Sequence, residues 1–490
     1  MQSVRQRAAD MRRYTMDWNT LLCEDRIRSL VKRPSGMDLR TEFEKDYHRI
    51  IGSASFRRLQ DKTQVFPLDR SDFIRTRLTH SLEVSSFAKS LGQNISASIR
   101  TVIQDESFLP EHALAVCDIL QCAGLIHDIG NPPFGHFGET AIQDWFKRRL
   151  PELRYQKSGE REARPLTEVL NRQMVEDFYH FEGNTQALRV VTKLHFLVDE
   201  HGMNLTKALL ASIIKYPGSS LEVDKHSGDI KTKKMGYFYA DREAFDDIQA
   251  SCGTNGARHP LAFILEAADD IAYATADIED AVKKNCLTFE QLVRELTEYK
   301  KERQNDRYRD MVSWLTDKYN RAVSKGYSRP DLYAVQNWVV TMQGQMIGGA
   351  TEGFTNHYRE IMEGTYKKEL TSGTDAELLM EALGDIAYRY AFVSKPILKL
   401  EIAAETIFNF LLDKFVDAVI YFDTGKKQSA VQEKLVSLIS DNYKKLYFIC
   451  SDGKSEEEKL YLRLLLVTDY VCGMTDSYAK DLYQELNGIA

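Results

Sequence analysis

The stretch 124-GLIHDIGNPPFGHFGE-139 is the most informative part of this sequence. An apolar run ends there in the adjacent pair His127 and Asp128, and a glycine and a proline pair then force a turn. A second histidine, His136, and a further acid, Glu139, follow the turn. Two histidines and two acids around an enforced turn indicate a metal site with an acid–base pair beside it. This combination suits the hydrolysis of a phosphate ester.

Hydrophobic periodicity predicts that the flanking sequence is helical. Apolar residues recur at helical spacing over 78–95, 111–129 and 260–283. Only 11 prolines and 27 glycines occur in 490 residues, which favours long helices over many short strands. The chain beyond about 285 also follows a helical pattern. We therefore predict an all-α fold with a helical core and an extended helical C-terminal region.

Each of the three predicted helices carries a potential metal ligand on or beside its apolar face: His80 on the first, His127 and Asp128 at the end of the second, and Asp269 on the third. A single histidine on such a face is more often a hydrogen-bonded core residue. A buried aspartate, in contrast, is rare unless it is paired or bound to a metal. We expect the turn at Gly130 to end the second helix just after the pair, so that the pair lies in its last turn. Nitrogen and oxygen ligands suit Mn²⁺, Fe²⁺, Co²⁺, Ni²⁺ or Mg²⁺, and no cysteine belongs to the set.

Composition excludes several other classes of protein. The chain is 43% hydrophobic and 28% charged with a net charge of −7, so it is not a general polycation for nucleic acid. Its seven cysteines include no C-x-x-C pair, which suits a reducing cytoplasm. We find neither a signal peptide nor an uninterrupted apolar stretch of about 18 residues. The sequence therefore predicts a cytoplasmic protein without a membrane span.

Several longer strings resemble one known family. They are 57-RRLQDKTQVFPL-68, 75-RTRLTHSLEV-84, 127-HDIGNPPFGHFGE-139, 180-HFEGNTQALR-189, 266-EAADDIAYATADIEDAV-282 and 473-GMTDSYA-479. Together they resemble the bacterial deoxyguanosine triphosphate triphosphohydrolases, which are members of the HD phosphohydrolase superfamily. The resemblance runs from about residue 40 to the C-terminus and is strongest up to 285. It implies cleavage of a deoxynucleoside triphosphate into the deoxynucleoside and intact tripolyphosphate.

The resemblance also implies an organisation and a set of partners. We expect an N-terminal segment at 1–40, an HD-domain core with the metal site at 41–285, and a helical region at 286–490 that packs on the core and contributes to oligomer contacts. A homo-oligomer is expected, with a hexamer favoured. The implied cofactor is a divalent metal ion, with Mg²⁺ or Mn²⁺ favoured and Fe²⁺, Co²⁺ or Ni²⁺ as alternatives.

Roles for individual residues follow from the same resemblance. The implied metal ligands are His80, His127, Asp128 and Asp269. The implied acid–base pair is His136 and Glu139, which we expect in the turn after the second helix. The implied substrate-binding residues are Gln64, Arg77, Lys215, Lys234, Tyr273 and Asp277.

Helical spacing supports two of these groups without the resemblance. Arg77 and His80 are three residues apart and point the same way from one helix, and a guanidinium is well shaped for phosphate oxygens. Asp269, Tyr273 and Asp277 form one ridge at intervals of four residues. The two lysines carry no such signal, because isolated lysines are usually surface residues.

Other functions remain open at the level of sequence. One is another HD hydrolase, such as a 5′-nucleotidase or a nucleotide phosphodiesterase, with the same metal and a different leaving group. Another is a regulatory protein that binds single-stranded nucleic acid, for which the basic stretches at 147–150 and 154–164 are candidates. Single-stranded DNA is therefore a second candidate partner beside dGTP or another dNTP. The sequence also leaves open the base specificity and which proton His136 transfers.

Overall fold

The structure of the protein is a computed structural model that describes residues 14–28, 38–64, 74–195, 199–303, 306–393 and 395–489. Within these residues the chain is mostly helical with almost no strand, so the predicted all-α fold class is confirmed. Of the N-terminal segment predicted at 1–40, residues 1–13 and 29–37 lie outside the described residues. None of the described helices is long and apolar enough to cross a membrane.

The helices of the first half include those that carry the predicted metal ligands. They are α1 (Trp18–Leu21), α2 (Glu42–Ile51), α3 (Ala54–Arg58), α4 (Arg77–Ser98), α5 (His112–Ile126), α6 (His136–Arg149), α7 (Leu166–Val169), α8 (Arg172–Tyr179), α9 (Gly183–Arg189), α10 (Lys207–Ile213), α11 (Arg242–Ser251) and α12 (Pro260–Lys283).

The second half is a further run of helices. They are α13 (Phe289–Arg303), α14 (Asp306–Ser324), α15 (Pro330–Asn356), α16 (Tyr358–Met362), α17 (Asp375–Ala387), α18 (Lys395–Val419), α19 (Ala430–Leu438), α20 (Asp441–Ser451), α21 (Glu456–Cys472) and α22 (Asp476–Leu486).

Short irregular elements connect these helices. The π-helical turns are Ile99–Ile103, Val190–Leu194 and Tyr388–Phe392, and the 3₁₀ turns are Leu59–Asp61, Ser220–Glu222, Ile230–Thr232 and Tyr239–Asp241. Two residue pairs, β1 (Arg154–Tyr155) and β2 (Arg164–Pro165), form an antiparallel hairpin at the two ends of the basic stretch 154–164.

Local sequence signals explain where the helices that carry the site begin. Thr76 caps α4, because its hydroxyl accepts the N–H of Thr79 while the Thr79 hydroxyl accepts the N–H of Thr76. Pro260 is the first residue of α12, and the side chain of His259 accepts the N–H of Leu261. These caps fix the register of the helices that present His80 and Asp269.

Two apolar clusters make up the core. The first is formed mainly by α4, α5, α12, α15 and α17, and the second by α6, α18 and α21. Each cluster contains residues from both halves of the chain. The second half is therefore part of the same packed interior as the helices that carry the predicted metal ligands.

Gly124 explains how closely α4 and α5 approach. A Cβ at this position would lie 2.5 Å from the backbone nitrogen of Ser85 on α4, which is closer than real Cβ contacts. Only glycine therefore permits this separation of the two helices. As a result, the end of α5 lies beside the start of α4, and the rings of His80 and His127 have centroids 5.3 Å apart.

Two local expectations were wrong. Helix α5 ends at Ile126, so His127 is its C-cap and Asp128 follows it, because the turn bond from Ile129 N to Ile126 O already closes the helix there. His136 is the first residue of α6 rather than part of the preceding turn. That turn is instead made by Phe134 and Gly135, which both have positive φ.

Candidate active site

Three predicted ligands from three different elements converge. Nε2 of His80 lies 3.1 Å and Nε2 of His127 lies 3.3 Å from Oδ1 of Asp269. One ligand atom from each residue lies within 4.8 Å of the others, a spacing that can hold one metal ion. Both histidines are buried, with 1% and 3% of their surface exposed. The ligand type is imidazole and carboxylate, as borderline and hard divalent ions require.

The ring of His127 is oriented by its own backbone. Its Nδ1 lies 2.8 Å from the carbonyl oxygen of Gly124, so this nitrogen carries the proton. Nε2 is then unprotonated and faces the cluster, where it is buried without a hydrogen-bond partner in the part of the chain that the structure describes. A backbone carbonyl that accepts the other ring N–H is a usual way in which a protein fixes a metal-binding histidine.

Asp128 adjoins the cluster rather than entering it. Its Oδ1 lies 3.6 Å from Nε2 of His127 and accepts the side-chain N–H of Asn131 at 2.8 Å. Its Oδ2 forms an ion pair with Arg77. Burial acts to raise the pKa of Asp128, but the neighbouring His127 imidazole and the Arg77 guanidinium outweigh it and hold the pKa below its usual range. The carboxyl is therefore ionised and able to act as a ligand.

Asp269 has a cationic partner of its own. Nζ of Lys215 donates to Oδ2 of Asp269 at 2.8 Å. Burial acts against the charge on both groups, but their attraction outweighs it, so the pKa of Asp269 is lowered and that of Lys215 is raised. Lys215 therefore leaves Oδ1 of Asp269 to the two histidines.

His136 and Glu139 form a pair in the first turn of α6. Nδ1 of His136 lies 2.8 Å from Oε2 of Glu139, and the backbone N–H of Gly183 donates to Oε1 of Glu139 at 2.8 Å. The hydrogen bond and charge of Glu139 raise the pKa of His136. Glu139 is buried, which acts to raise its pKa, but the bond to His136 lowers it overall. The pair is therefore arranged as an imidazole with an orienting carboxylate.

Most of the predicted residues line one cavity of about 800 Å³. Its lining contains two predicted metal ligands, the acid–base pair and five of the predicted substrate-binding residues: Asp128, Asp269, His136, Glu139, Gln64, Arg77, Lys215, Lys234 and Tyr273. His80 and His127 lie buried just behind this wall. The cavity is large enough for a nucleoside triphosphate.

Asp277 does not line the cavity. It lies further along α12 with 2% of its surface exposed, and both of its carboxyl oxygens are buried without a hydrogen-bond partner in the described part of the chain. Burial and the neighbouring charge of Asp280 raise its pKa. A substrate-binding role for Asp277 stays a prediction.

Cations lie along one side of the cavity. Arg77 pairs with Asp128, Lys215 with Asp269, and Nζ of Lys234 donates to Oε1 of Glu182 at 2.8 Å. Each cation thus has a carboxylate partner that an incoming anion can replace. This wall suits a polyanionic ligand such as a chain of phosphates.

The structure also brings residues to the cavity that sequence reasoning missed. Asn131, which orients Asp128, lies within the opening motif, and its place between a glycine and a proline was the available signal. Glu182 partners Lys234, and its place in 180-HFEGNTQALR-189 was a weaker signal. Phe392 stacks on Tyr273, with ring centroids 6.0 Å apart, but no local pattern marked it. Glu401 also lines the cavity.

Comparison with known proteins agrees with this geometry. The model of the HD domain family matches residues 77–212, which include the helices that carry His80 and His127. A deoxyguanosinetriphosphate triphosphohydrolase-like protein of Listeria monocytogenes is 46% identical over 479 residues, which cover 97% of this chain and 100% of the relative.

More distant relatives carry the same description. A deoxyguanosinetriphosphate triphosphohydrolase-like protein of Synechocystis is 31% identical over 97% of this chain and 100% of its own length. The deoxyguanosinetriphosphate triphosphohydrolase of Salmonella schwarzengrund is 32% identical over 91% of this chain and 94% of its own length. The chain is therefore a hydrolase with an HD domain and belongs to the deoxyguanosinetriphosphate triphosphohydrolase family.

Proposed function

We propose that this protein is a metal-dependent triphosphohydrolase that cleaves dGTP into deoxyguanosine and tripolyphosphate by attack of water on the α-phosphorus. One observation carries the proposal. A single cavity contains a histidine–aspartate cluster, a His136–Glu139 pair and a wall of three cations. A mononucleotide or a cyclic nucleotide would not need so extended a cationic wall.

The side chains present fit a divalent metal ion. Among the described residues, Nε2 of His127 has no hydrogen-bond partner; it is buried and faces Oδ1 of Asp269, and a buried polar atom of this kind calls for a ligand. His80, His127, Asp128 and Asp269 would hold the ion, and Mg²⁺ or Mn²⁺ is favoured over Fe²⁺, Co²⁺ and Ni²⁺. A bound divalent ion supplies Lewis acidity at the phosphoryl group and makes water a better nucleophile.

The cations have the role of neutralising the triphosphate. Arg77, Lys215 and Lys234 each exchange a carboxylate for phosphate oxygens when substrate enters. When Arg77 moves to phosphate, it releases Oδ2 of Asp128 for the metal. Substrate and metal binding are therefore expected to favour each other.

His136 has the role of general acid. An alkoxide is a poor leaving group, so protonation of the 5′ oxygen of the nucleoside should accelerate the reaction. Glu139 raises the pKa of His136 and so favours the protonated ring, and 73% of the side chain of His136, which lines the cavity, is exposed. Glu139 is buried behind it and holds the ring in place.

We assign the sugar and the base to polar and aromatic residues of the same cavity. Oε1 of Gln64 is buried without a hydrogen-bond partner among the described residues, which suits recognition of the sugar 3′-hydroxyl by the amide. Tyr273 and Phe392 stack at the cavity wall and offer an aromatic surface to the nucleoside. Glu401 offers a carboxylate, and guanine presents adjacent N–H donors that match it. These contacts favour dGTP over the other dNTPs.

Assembly and DNA binding remain proposals from the resemblance alone. We expect a homo-oligomer with six chains, which light scattering would measure directly. Binding of single-stranded DNA to the basic stretches at 147–150 and 154–164 would give a mobility shift that weakens steeply with salt.

A product assay tests the proposed reaction. The purified protein is incubated with each of the four dNTPs and with GTP in the presence of Mg²⁺ or Mn²⁺, and the products are separated by ion-exchange chromatography. Asp128→Ala is the inactive control, and Asp144→Ala replaces an exposed acid of α6 as the matched active control. Deoxyguanosine and unbroken tripolyphosphate, with dGTP as the best substrate, are expected. Orthophosphate or pyrophosphate as the first product would contradict attack at the α-phosphorus.

A further inference from the structure

Asp476 lies in the C-terminal motif 473-GMTDSYA-479, which the proposed chemistry does not use. It is the first residue of α22 and has 1% of its surface exposed. The helix does not need it as a cap, because the Thr475 hydroxyl accepts the N–H of Tyr478. A buried carboxylate is costly unless it is well hydrogen-bonded, so its partners should matter.

The carboxyl group of Asp476 joins two distant parts of the chain. Oδ1 accepts the backbone N–H of Phe134 at 2.9 Å, across 342 positions. Oδ2 accepts the backbone N–H of Thr63 at 3.0 Å and also the Thr63 hydroxyl, across 413 positions. All three donors are neutral, and only a carboxylate oxygen pair can accept from all of them at once.

The bond to Phe134 stabilises the turn that begins α6. Phe134 has φ of +61° and Gly135 has φ of +59°, and His136 follows immediately. A positive φ at a phenylalanine is strained, and such strain persists only where surrounding contacts enforce it. Asp476 supplies one of those contacts, two residues from the proposed general acid.

The bonds to Thr63 stabilise a second segment of the cavity lining. Thr63 precedes Gln64 and forms an antiparallel bridge with Thr76, the cap of α4. Gln64 and Arg77 therefore extend into the cavity from a segment that Asp476 holds. One carboxyl group thus contacts both the proton-transfer side and the substrate-binding side of the site.

Lys62 makes a second connection between the same segments. It is 3% exposed, and its Nζ donates to the carbonyl oxygens of Asn131 at 2.5 Å and of Cys472 at 2.7 Å. Asn131 in turn donates to Asp128. The end of α21 is therefore bonded to Lys62, and the start of α22 is bonded to Thr63 and Phe134.

We propose that Asp476 is a positioning residue for the hydrolysis, because its carboxyl group sets the placement of His136 relative to the wall formed by Gln64 and Arg77. This inference rests on the proposed function. It assigns to the C-terminal segment a part in building the active site, although Asp476 itself does not line the cavity.

Two variants test the inference with a matched control. The side-chain NH₂ group of Asp476→Asn would face N–H or O–H donors that need an acceptor. We therefore expect kcat to fall by about 10- to 100-fold, as on replacement of other residues that orient active-site groups. Discrimination between dGTP and 2′,3′-dideoxy-GTP should fall as well, because Gln64 is displaced. Thr63→Val removes one hydroxyl bond to Asp476, and KM is expected to rise by about 2- to 10-fold.

Thr206→Val is the control. Thr206 donates its N–H at 3.0 Å and its hydroxyl at 2.7 Å to Asp46, a buried carboxylate outside the cavity lining. The same hydroxyl bond is thus lost at a remote site. Thr206→Val should lower stability while kcat and KM remain those of the wild type.

A nuclear magnetic resonance titration of His136 provides a readout that does not need turnover. In Asp476→Asn the His136–Glu139 bond should loosen, so the pKa of His136 should fall toward its ordinary value. A folded Asp476→Asn protein with wild-type kcat, KM and His136 titration would overturn the inference. If that variant does not fold, equal KM values for Thr63→Val and Thr206→Val would overturn it. A wild-type protein that cleaves no dNTP would contradict the proposed function, and the His136 titration would still decide the inference.

Discussion

His136 has a side chain that is 73% exposed, whereas its partner Glu139 is only 7% exposed. This asymmetry separates two tasks, because an exposed imidazole can meet a substrate while a buried carboxylate can only orient it. The backbone N–H of Gly183 holds the second oxygen of Glu139, so the carboxylate cannot rotate away. At the scale of single residues, the pair is therefore built to keep one ring nitrogen available for proton transfer.

His136→Ala is expected to lose most of the turnover, by about 10²- to 10⁴-fold, because a positioned general acid contributes that much to a rate. Binding of Mn²⁺ and of dGTP should remain, since His136 belongs to neither the metal cluster nor the cationic wall. Isothermal titration calorimetry beside steady-state kinetics measures both quantities. A loss of binding as large as the loss of rate would contradict the assignment.

Glu139→Gln is expected to shift the pH profile of kcat/KM. Glu139 raises the pKa of His136, so the protonated ring persists to higher pH. Activity that needs the protonated ring is present below this pKa and is lost as the pH rises through it. Removing the charge lowers the pKa toward its ordinary value of about 6.5, so the alkaline limb should move to lower pH. An unchanged alkaline limb would show that another group controls it.

At the scale of secondary-structure elements, the contact between α4 and α5 decides whether the metal cluster exists. Gly124 allows the helices to meet at backbone distance, and its own carbonyl oxygen orients His127. The residue thus serves both packing and ligand orientation. His80 lies on α4, and His127 is the C-cap of α5.

Gly124→Ala is expected to destabilise the protein by about 1–3 kcal/mol and to weaken metal binding, because the new methyl group forces α4 and α5 apart. Denaturation in urea and Mn²⁺ titration measure the two effects. Gly348→Ala is the control: this glycine lies on α15 with open space around its missing Cβ, so alanine should stabilise by about 0.5–1 kcal/mol. Equal behaviour of the two variants would show that the close approach is unimportant.

At the scale of the whole molecule, buried ion pairs connect distant helices. Nε and Nη2 of Arg189 on α9 each donate to Asp469 on α21 at 2.8 Å, and Nη1 donates to Asp241 at 3.0 Å. All three side chains are less than 5% exposed. This cluster links the first half of the chain to its C-terminal helices.

Arg189→Ala is expected to lower the free energy of unfolding by about 3–5 kcal/mol, because it leaves the buried Asp469 without a cation and Asp241 with Lys193 in place of two cations. Urea denaturation measures this loss. Arg242→Ala removes an ion pair whose side chains are both 61% exposed, and it should cost no more than about 1 kcal/mol. Similar losses in the two variants would argue against a special role for the buried cluster.

Metal binding should stabilise the whole molecule, because its ligands come from three elements that unfolding separates. At about 100 times the Kd, Mn²⁺ is expected to add about 2.7 kcal/mol to the free energy of unfolding. Thermal unfolding with added Mn²⁺ or with a chelator measures the difference. His127→Ala should abolish this increment, and an equal increment in that variant would place the ion elsewhere.

The sequence by itself determined the features that depend on neighbouring residues. Apolar spacing of three and four residues predicted the helices, and the residue types of His127, Asp128 and Asp269 indicated a metal cluster. Even there the local boundaries were imprecise, since α5 ends at Ile126 and His136 already belongs to α6. A helix ends where a turn hydrogen bond forms in place of the next helical hydrogen bond, and the sequence pattern does not show which of the two forms.

Only the tertiary structure decided which distant groups meet. The ion pair of Arg77 with Asp128, the stacking of Phe392 on Tyr273, and the bonds of Asp476 to Thr63 and Phe134 have no local signal. Such contacts arise when apolar helix faces are buried against one another, and this burial sets the distances between side chains hundreds of positions apart. Residue types therefore indicated the chemistry, while packing determined the cavity in which that chemistry can occur.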